Sequence, residues 1–210
     1  MIGAFVVEVA LTILVWHRTG PIAFDRVLLH GYVPQDHFLV YRVASVATEL
    51  GSPAGVIIVA IVASFTVWRL RRSLVDAAAI VVVPGVAGVV ESTAKLVVGR
   101  TRPLTAFLTG ESGVGFPSGH ATGFAALALT LAIVITNTSP RSRRVTAVVI
   151  AVVLSVLVGV SRVIVGAHYP SDVIAGVLLG LAIAELMRLL VPHVVALAVS
   201  RIPALERMTR

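Results

Sequence analysis

The sequence predicts an all-α membrane protein, a bundle of six transmembrane helices that forms one domain over residues 1–210. Of its residues, 58% are hydrophobic and only 13% are charged, whereas soluble domains contain about 25% charged residues. Six segments approach the ~20 apolar residues needed to cross a bilayer. Most arginines lie between these segments or beyond the last one. Together these features exclude a disordered chain and a coiled coil, and they argue against a soluble globule.

The six predicted spans are joined by short connections, apart from one long loop after the first span. The first span is short and carries Glu8, but it lacks a basic start and a small-residue cleavage site. We therefore expect a retained anchor helix and not a signal peptide. The spans cover residues 2–16, 53–68, 74–98, 121–136, 145–165 and 172–191.

The long loop of residues 17–52 contains a further predicted helix. Phe38, Val43, Val46 and Leu50 recur near helical spacing, with polar residues between them. This arrangement predicts a helix that lies at the membrane surface. A short helix packed over the bundle is an equally good interpretation.

Arginine placement predicts the orientation of the chain, because cytoplasmic loops are enriched in basic residues. If six helices alternate, three arginine clusters fall on one side, so we expect a multi-pass protein of the inner or plasma membrane with both termini in the cytoplasm. The loops of residues 104–116 and 167–171 then face outward. The clusters contain Arg69, Arg71, Arg72, Arg141, Arg143, Arg144, Arg188, Arg201, Arg207 and Arg210.

Composition also excludes several kinds of site. The chain has no cysteine, so it has no disulfide, no cysteine-ligated metal and no thiol nucleophile. The net charge is +7, but no Lys/Arg run with interleaved aromatic residues occurs, which argues against a nucleic-acid partner. The acidic residues are too dispersed for a two-metal centre, and we expect no metal and no cofactor.

The first polar cluster lies at the end of the third predicted span. Lys95, Arg100 and Arg102 occur in the stretch KLVVGRTRP. Several cations at a helix end suit an anion with several oxygens, and guanidinium binds phosphate in a bidentate manner. The alternative is that these long side chains only reach the membrane interface. Glu91, four residues before Lys95, is placed to pair with it.

The second cluster begins the fourth predicted span. Pro117, Ser118, Gly119 and His120 precede a long apolar run. A helix start of this type offers a hydroxyl and unpaired backbone N–H groups to an anion. A simple capped helix start is the alternative for Ser118. His120 can exchange a proton near neutral pH.

The third cluster connects the last two predicted spans in the stretch SRVIVGAHYPSD. Ser161 and Arg162 are followed by His168 and, four residues later, by Asp172. If this spacing is helical, the carboxylate of Asp172 can accept the proton of one imidazole nitrogen, which leaves the other nitrogen nucleophilic. Two histidines flanked by cations favour a catalytic role over a structural one.

Together the three clusters resemble the signature of the type-2 phosphatidic acid phosphatase superfamily. That signature consists of K-x6-RP, PSGH and SR-x5-H-x3-D, and all eleven of its specified positions match this sequence in order and spacing. The signature covers residues 95–172, and the six-span layout extends the resemblance over most of the chain. Arg100 is not a specified position and is left outside the predicted site.

The resemblance implies roles for the matching residues. His168 would be the nucleophile that forms a phosphohistidine, Asp172 would orient its imidazole, and His120 would protonate the leaving oxygen and then activate water. No metal takes part. The phosphoryl oxygens would be bound by Lys95, Arg102, Ser118, Gly119 and Arg162.

The expected substrate follows from the position of the site at the outer ends of the helices. A lipid can present its phosphate there from the outer leaflet, and a polyprenyl diphosphate such as undecaprenyl diphosphate is the favoured candidate. Phosphatidic acid, phosphatidylglycerophosphate and phosphotransfer between lipids are alternatives within the same superfamily. A membrane transporter is the alternative from another class, since ionisable residues in spans also mark ion pathways.

Overall fold

The computed structural model describes residues 10–16, 20–30 and 38–201, with side chains described as far as residue 191. Within these residues the chain is helical, and the single β-bridge joins Thr101 to Val114. The described part of helix α1 covers residues 10–15. The remaining α-helices are α2 Ala23–Leu28, α3 Phe38–Ala47, α4 Pro53–Arg71, α5 Leu74–Val98, α6 Gly119–Thr136, α7 Arg141–Ile164 and α8 Pro170–Arg201, with short 3₁₀ helices at Thr48–Gly51 and Leu104–Thr109.

Five of the predicted spans correspond to helices that are long and apolar enough to cross a membrane. They are α4 to α8, with α8 counted over Pro170–Val191. This confirms the all-α membrane architecture. Of the first predicted span, residues 10–15 are helical and residues 2–9 lie outside the described part of the chain.

Helix α7 begins one turn before the predicted start of the fifth span, at residue 145. Helix α7 begins at Arg141, because Pro140 occupies its N-cap position and its ring favours a helix start. The three arginines predicted for the preceding loop, at 141, 143 and 144, therefore lie in the first turns of the helix. Hydrophobicity indicates which residues contact lipid, and it does not report that a helix continues into water.

Short polar residues and glycine define the other helix ends that matter for the site. Ser52 caps α4 by accepting a hydrogen bond from the N–H of Gly55 at 3.0 Å, with Pro53 in the first turn. Helix α5 runs without interruption through Pro84 and ends at Gly99, whose φ of 66° suits a residue without a side chain. The chain leaves α5 there and enters the segment that carries Arg100 and Arg102.

Helix α6 lies at the centre of the bundle. In its most apolar stretch 56% of the residues are buried, compared with 17% in α4. One side of α6 packs with α4 and α5 through Leu127 and Ile80, and the other packs with α8 through Ala121 and Val173. The first turn of α6 therefore meets the end of α5 and the start of α8, the three places where the polar clusters lie.

The helix predicted in the long loop is present as α3, followed by the 3₁₀ helix Thr48–Gly51. Ala44 of α3 packs on Val165 and Ala167, so the helix covers the connection between α7 and α8. Phe38, Val43, Val46 and Leu50 all point away from this contact and are exposed. An apolar face turned away from the protein supports the prediction of a membrane-surface position, which stays a prediction.

Candidate active site

The fold brings the three polar clusters of the sequence together at one end of the bundle. His168 and Asp172 lie at the turn into α8, Ser118 and His120 lie at the start of α6, and Arg102 follows α5. The N–H of Ser118 donates to the carbonyl of Asp172 at 3.0 Å, which ties the second cluster to the third. His168, Asp172, Ser118 and Arg162 are each 3% exposed or less.

His168 is held between a cation and a carboxylate. Its Nε2 is 2.8 Å from a guanidinium nitrogen of Arg102, and its Nδ1 is 3.6 Å from Oδ2 of Asp172. Because arginine only donates hydrogen bonds, Nε2 must accept here, so the proton of a neutral imidazole lies on Nδ1 and faces Asp172. Burial, together with Arg102 and Arg162, lowers the pKa of His168 well below its ordinary value. The ring is therefore neutral at pH 7, with its lone pair on Nε2.

The contact between His168 and Asp172 differs in detail from the one predicted. Helix α8 begins at Pro170, so His168 lies before it and the two residues do not share a helical face. A separation of 3.6 Å is too long for a hydrogen bond. Instead Oδ2 of Asp172 accepts the N–H of Tyr169 at 3.0 Å. Catalytic hydrogen bonds are often long in the absence of substrate, and this pair needs only a small movement to close.

Asp172 also forms a buried ion pair with an arginine, which in turn pairs with a second carboxylate. One guanidinium nitrogen of Arg100 is 2.5 Å from Oδ1 of Asp172, and the other is 2.6 Å from Oδ2 of Asp25 on α2. All three side chains are inaccessible to solvent. Ser171 completes the cluster, because its N–H and hydroxyl both donate to Asp25 and its hydroxyl accepts from Arg100. The guanidinium also lies 4.6 Å from the ring centre of Tyr169.

Arg102 and Arg162 converge on one carboxylate, that of Glu111 in the loop between α5 and α6. Arg102 is 2.5 Å from Oε2, and Arg162 bonds to Oε1. Arg162 also donates to the hydroxyl of Thr48 at 2.8 Å. The two arginines are therefore oriented towards a common point, which is occupied here by an anionic group of the chain.

Ser118 sits at the N-cap position of α6 but makes no side-chain capping bond. Its Oγ is buried and has no hydrogen-bond partner among the described residues. The simple capped start, the alternative considered from the sequence, is therefore not what the hydroxyl does. The first N–H groups of α6, beginning with Gly119, lack intrahelical acceptors by geometry. A buried free hydroxyl beside such groups suits a phosphoryl oxygen.

Lys95 is the signature cation furthest from the arginine pair. It forms the expected ion pair with Glu91 one turn earlier in α5. This pair lies against Gly119, because a Cβ atom there would come 2.8 Å from Oε1 of Glu91 and 3.4 Å from Nζ of Lys95. The ion pair of α5 therefore lies directly against the start of α6. His120 lies next along α6, within electrostatic range of Arg162 and His168.

Asp25, Arg100 and Glu111 are site residues that the sequence analysis missed. Arg100 is not a signature position, although its buried partner Asp172 is one. Asp25 interrupts the apolar stretch PIAFDRVLL, and Glu111 is the only acidic residue between Glu91 and Asp172. An isolated acidic residue in a sequence that contains several cations indicates an ion pair. Only the three-dimensional structure shows which cation forms that pair.

The bundle also contains a cavity that is separate from this site. A cavity of about 820 Å³ lies between α5, α6, α7 and α8 at the opposite ends of the helices, lined mainly by apolar side chains such as Val83 and Leu129. It contains none of the signature residues. Within the described ranges, no three His, Asp or Glu side chains are grouped as metal ligands.

Similarity to known proteins covers both the sequence and the fold. The chain is 37% identical to phosphatidylglycerophosphatase B of Bacillus subtilis over 91 residues, which are 42% of this chain and 45% of that protein. It is 32% identical to decaprenylphosphoryl-5-phosphoribose phosphatase of Mycobacterium tuberculosis over 138 residues, which are 63% of this chain and 70% of that protein. The match to the first relative thus spans less than half of that protein's length.

A solved structure resembles almost the whole molecule. It is the crystal structure of a transmembrane PAP2-type phosphatidylglycerolphosphate phosphatase from Bacillus subtilis, with a TM-score of 0.79 and 25% sequence identity over 89% of this chain and 93% of that chain. The family model described as the PAP2 superfamily matches residues 74–195, which contain all three polar clusters. On these matches, the chain belongs to the PAP2 superfamily.

Proposed function

We propose that this protein is a lipid phosphatase that removes a terminal phosphate through a phosphohistidine on His168. The observation that carries the proposal is the geometry of that imidazole. Its Nε2 lone pair faces the arginine that would bind phosphate, and its Nδ1–H faces a carboxylate. This is the arrangement that nucleophilic catalysis by histidine requires.

The proposed reaction has two steps. In the first, Nε2 of His168 attacks the terminal phosphorus, the bond from that phosphorus to the leaving oxygen breaks, and His120 gives this oxygen a proton. The leaving oxygen is the bridging oxygen of a diphosphate or the lipid oxygen of a monophosphate. In the second, His120 takes a proton from water, the water oxygen attacks the phosphohistidine, and inorganic phosphate leaves as the nitrogen–phosphorus bond breaks. Phosphoryl transfer depends mainly on positioning and on neutralising charge. Arg102, Arg162, Ser118 and the start of α6 are placed for that purpose.

We further propose that the site faces the outer side of the membrane and that the substrate is a polyprenyl diphosphate. The relative with the name decaprenylphosphoryl-5-phosphoribose phosphatase supports a polyprenyl-linked substrate, and the match spans 70% of its length. Phosphatidylglycerophosphate is the second candidate, supported by the solved structure that resembles 89% of this chain. Phosphatidic acid and transfer of phosphate to another lipid use the same residues.

Transport is a weaker proposal than catalysis. In transporters the substrate and ion sites lie near the middle of the bilayer, often at broken helices. Here the ionisable groups cluster where α5 ends and where α6 and α8 begin, and α5 is continuous through Pro84. Membership of a superfamily whose relatives are named phosphatases favours the enzyme.

The proposal is tested with the purified protein in detergent. We expect phosphate release from undecaprenyl diphosphate, phosphatidylglycerophosphate and phosphatidic acid to continue in EDTA and to be inhibited by vanadate. His168→Ala should reduce release by about a thousandfold or more, because the nucleophile is lost. The exposed His30 provides the matched control, His30→Ala, which should keep full activity.

Two results would contradict this proposal. Strict dependence on Mg²⁺ would exclude the metal-free mechanism, and unchanged turnover by His168→Ala would remove the nucleophile assignment. Equal kcat/KM values for all three lipids would leave phosphatase activity intact but would remove the preference for the polyprenyl substrate.

A further inference from the structure

Glu111 places a carboxylate among the residues that would bind phosphate. Both of its oxygens are engaged, Oε2 by Arg102 at 2.5 Å and Oε1 by Arg162. The same two guanidinium groups belong to the predicted phosphate site. A carboxylate held between two arginines presents two oxygens to them, as a bound phosphoryl group does.

Glu111 carries a full negative charge in this position. Burial raises the pKa of its carboxyl, but Arg162 and Arg102 lower it more, so that the pKa lies below its ordinary value. The arginines therefore meet an anion even when no substrate is bound. A lipid phosphate cannot take the same place on both guanidinium groups while Glu111 remains there.

The backbone of the loop that carries Glu111 is anchored on both sides of the residue and at its own N–H, which donates to the carbonyl of Ala106 at 3.2 Å. Before it, the hydroxyl of Thr105 donates to the carbonyl of Gly166 at 2.8 Å. After it, the N–H of Gly115 donates to the carbonyl of Arg100 at 2.7 Å. Gly110 and Gly113 flank Glu111 with φ values of 72° and 80°. The side chain of Glu111 can rotate away from the two arginines about its own single bonds while these backbone contacts hold.

We propose that Glu111 is an intramolecular competitor of the substrate, which occupies the arginine pair in the empty enzyme and is displaced when a phosphate binds. This inference rests on the proposed phosphate site and adds a step to its cycle. Substrate binding becomes an exchange of one anion for another. After hydrolysis, the return of the carboxylate helps to expel inorganic phosphate.

The exchange makes a quantitative prediction. Every phosphate-like anion must displace the same carboxylate and therefore bears the same free-energy cost. Removing the charge of Glu111 should tighten the binding of all such anions by a common factor. If Glu111 instead only holds the two arginines in position, removing its charge should weaken the binding of each anion.

The test compares Glu111→Gln with wild type. We expect the dissociation constant for inorganic phosphate, measured by calorimetry in detergent, to fall about tenfold, which corresponds to about 1.4 kcal/mol. The inhibition constant for orthovanadate and the KM for dioctanoyl phosphatidic acid should fall by the same factor. Glu111→Ala should also lower all three constants. This second variant is needed because the amide of glutamine can still accept hydrogen bonds from the two arginines.

Glu49→Gln is the matched control. Glu49 is exposed and also acts on Arg162 electrostatically, but it forms no ion pair within the described ranges. This variant should leave all three constants nearly unchanged. Unchanged or weaker phosphate binding by Glu111→Gln would overturn the proposal. Calorimetry needs no turnover, so tighter binding without any phosphate release would contradict the phosphatase function and not the competition.

Discussion

Two of the three most buried charged residues in the described part of the chain, Asp25 and Arg100, are not signature residues. Asp25 and Asp172 share the guanidinium of Arg100, and all three side chains are shielded from water. Such a cluster is stable only if every member is hydrogen-bonded. Its contacts limit how far Asp172 can move relative to His168, so Asp25 and Arg100 would be positioning residues in the proposed mechanism.

Neutralising Asp25 should therefore slow catalysis without weakening substrate binding. In Asp25→Asn the guanidinium of Arg100 loses one partner and is free to shift towards Asp172, which moves the carboxylate that orients His168. Misplacement of a reacting group by about 1 Å can cost about a hundredfold in rate. We expect kcat for phosphatidic acid to fall between about tenfold and a hundredfold, with KM changed less than about threefold.

The matched control for that substitution is Glu185→Gln. Glu185 also pairs with an arginine, Arg188, but the pair is partly exposed and lies about halfway along α8, away from the site. This variant should keep the wild-type kcat. A wild-type kcat in Asp25→Asn, or an effect on KM alone, would show that the cluster does not position the catalytic pair.

At the residue scale, motif spacing predicted that the signature side chains lie together. It did not predict the further residues that contact them. His168, Asp172, Ser118 and Arg102 lie together as the resemblance implies, because their spacing matches a known family. Asp25, Arg100 and Glu111 reach the site from a distant helix, a turn and a loop. Their contacts depend on how these pieces pack, and no local pattern of residues encodes that packing.

Among the elements, α6 and α8 control how the signature motifs meet. Gly176 and Gly180 lie one turn apart on α8 and face the backbone of α6. A Cβ atom on Gly176 would come 2.5 Å from the carbonyl oxygen of Ser118, and one on Gly180 would collide with the carbonyl oxygen of Thr122. Small residues at this spacing allow two helices to approach closely. The approach brings the start of α6 against the start of α8.

A methyl group at the second of these glycines should separate the two helices. Gly180→Ala should lower the free energy of unfolding by about 1–3 kcal/mol, the usual cost of overpacking, and should reduce activity because Asp172 and Ser118 move apart. Gly88→Ala is the control, since no atom lies within 4 Å of the added methyl group. That change should be neutral or stabilising, because alanine favours helix. Thermal unfolding in detergent measures both, and equal stability of the two variants would contradict the close contact.

The helices were largely predictable from the sequence, and so were several of their ends, since the predicted span of residues 74–98 coincides with α5. Long apolar runs identified α4 to α8, because a membrane span must satisfy its backbone internally and present apolar side chains to lipid. The start of α7 differs from the predicted span because its first turn carries three arginines, and Arg141 is already helical. The close packing of α6 against α8 was not predicted, because the position of a glycine in an apolar run does not indicate which neighbouring helix it faces.

For the molecule as a whole, charge is divided between the two ends of the bundle. The ends of α5 and α7 and the starts of α6 and α8 carry the proposed phosphate site. The opposite ends carry arginines that bond helix carbonyls, as Arg71 does with those of Val134 and Ile135. Cytoplasmic ends are normally enriched in arginine. This division supports the proposal that the site faces outward. A chemical probe placed at each end of the bundle can therefore test which end is outside the cell.

Single cysteines provide that probe, because the chain has none of its own. Ser112 adjoins Glu111 in the loop over the site, and Ser142 lies in the first turn of α7 at the opposite end; both are exposed. In intact cells, or in spheroplasts where an outer barrier exists, a membrane-impermeant maleimide should label Ser112→Cys and spare Ser142→Cys. Permeabilisation should make both reactive, which controls for accessibility. The reverse labelling would place the site in the cytoplasm and would require a substrate from the inner leaflet.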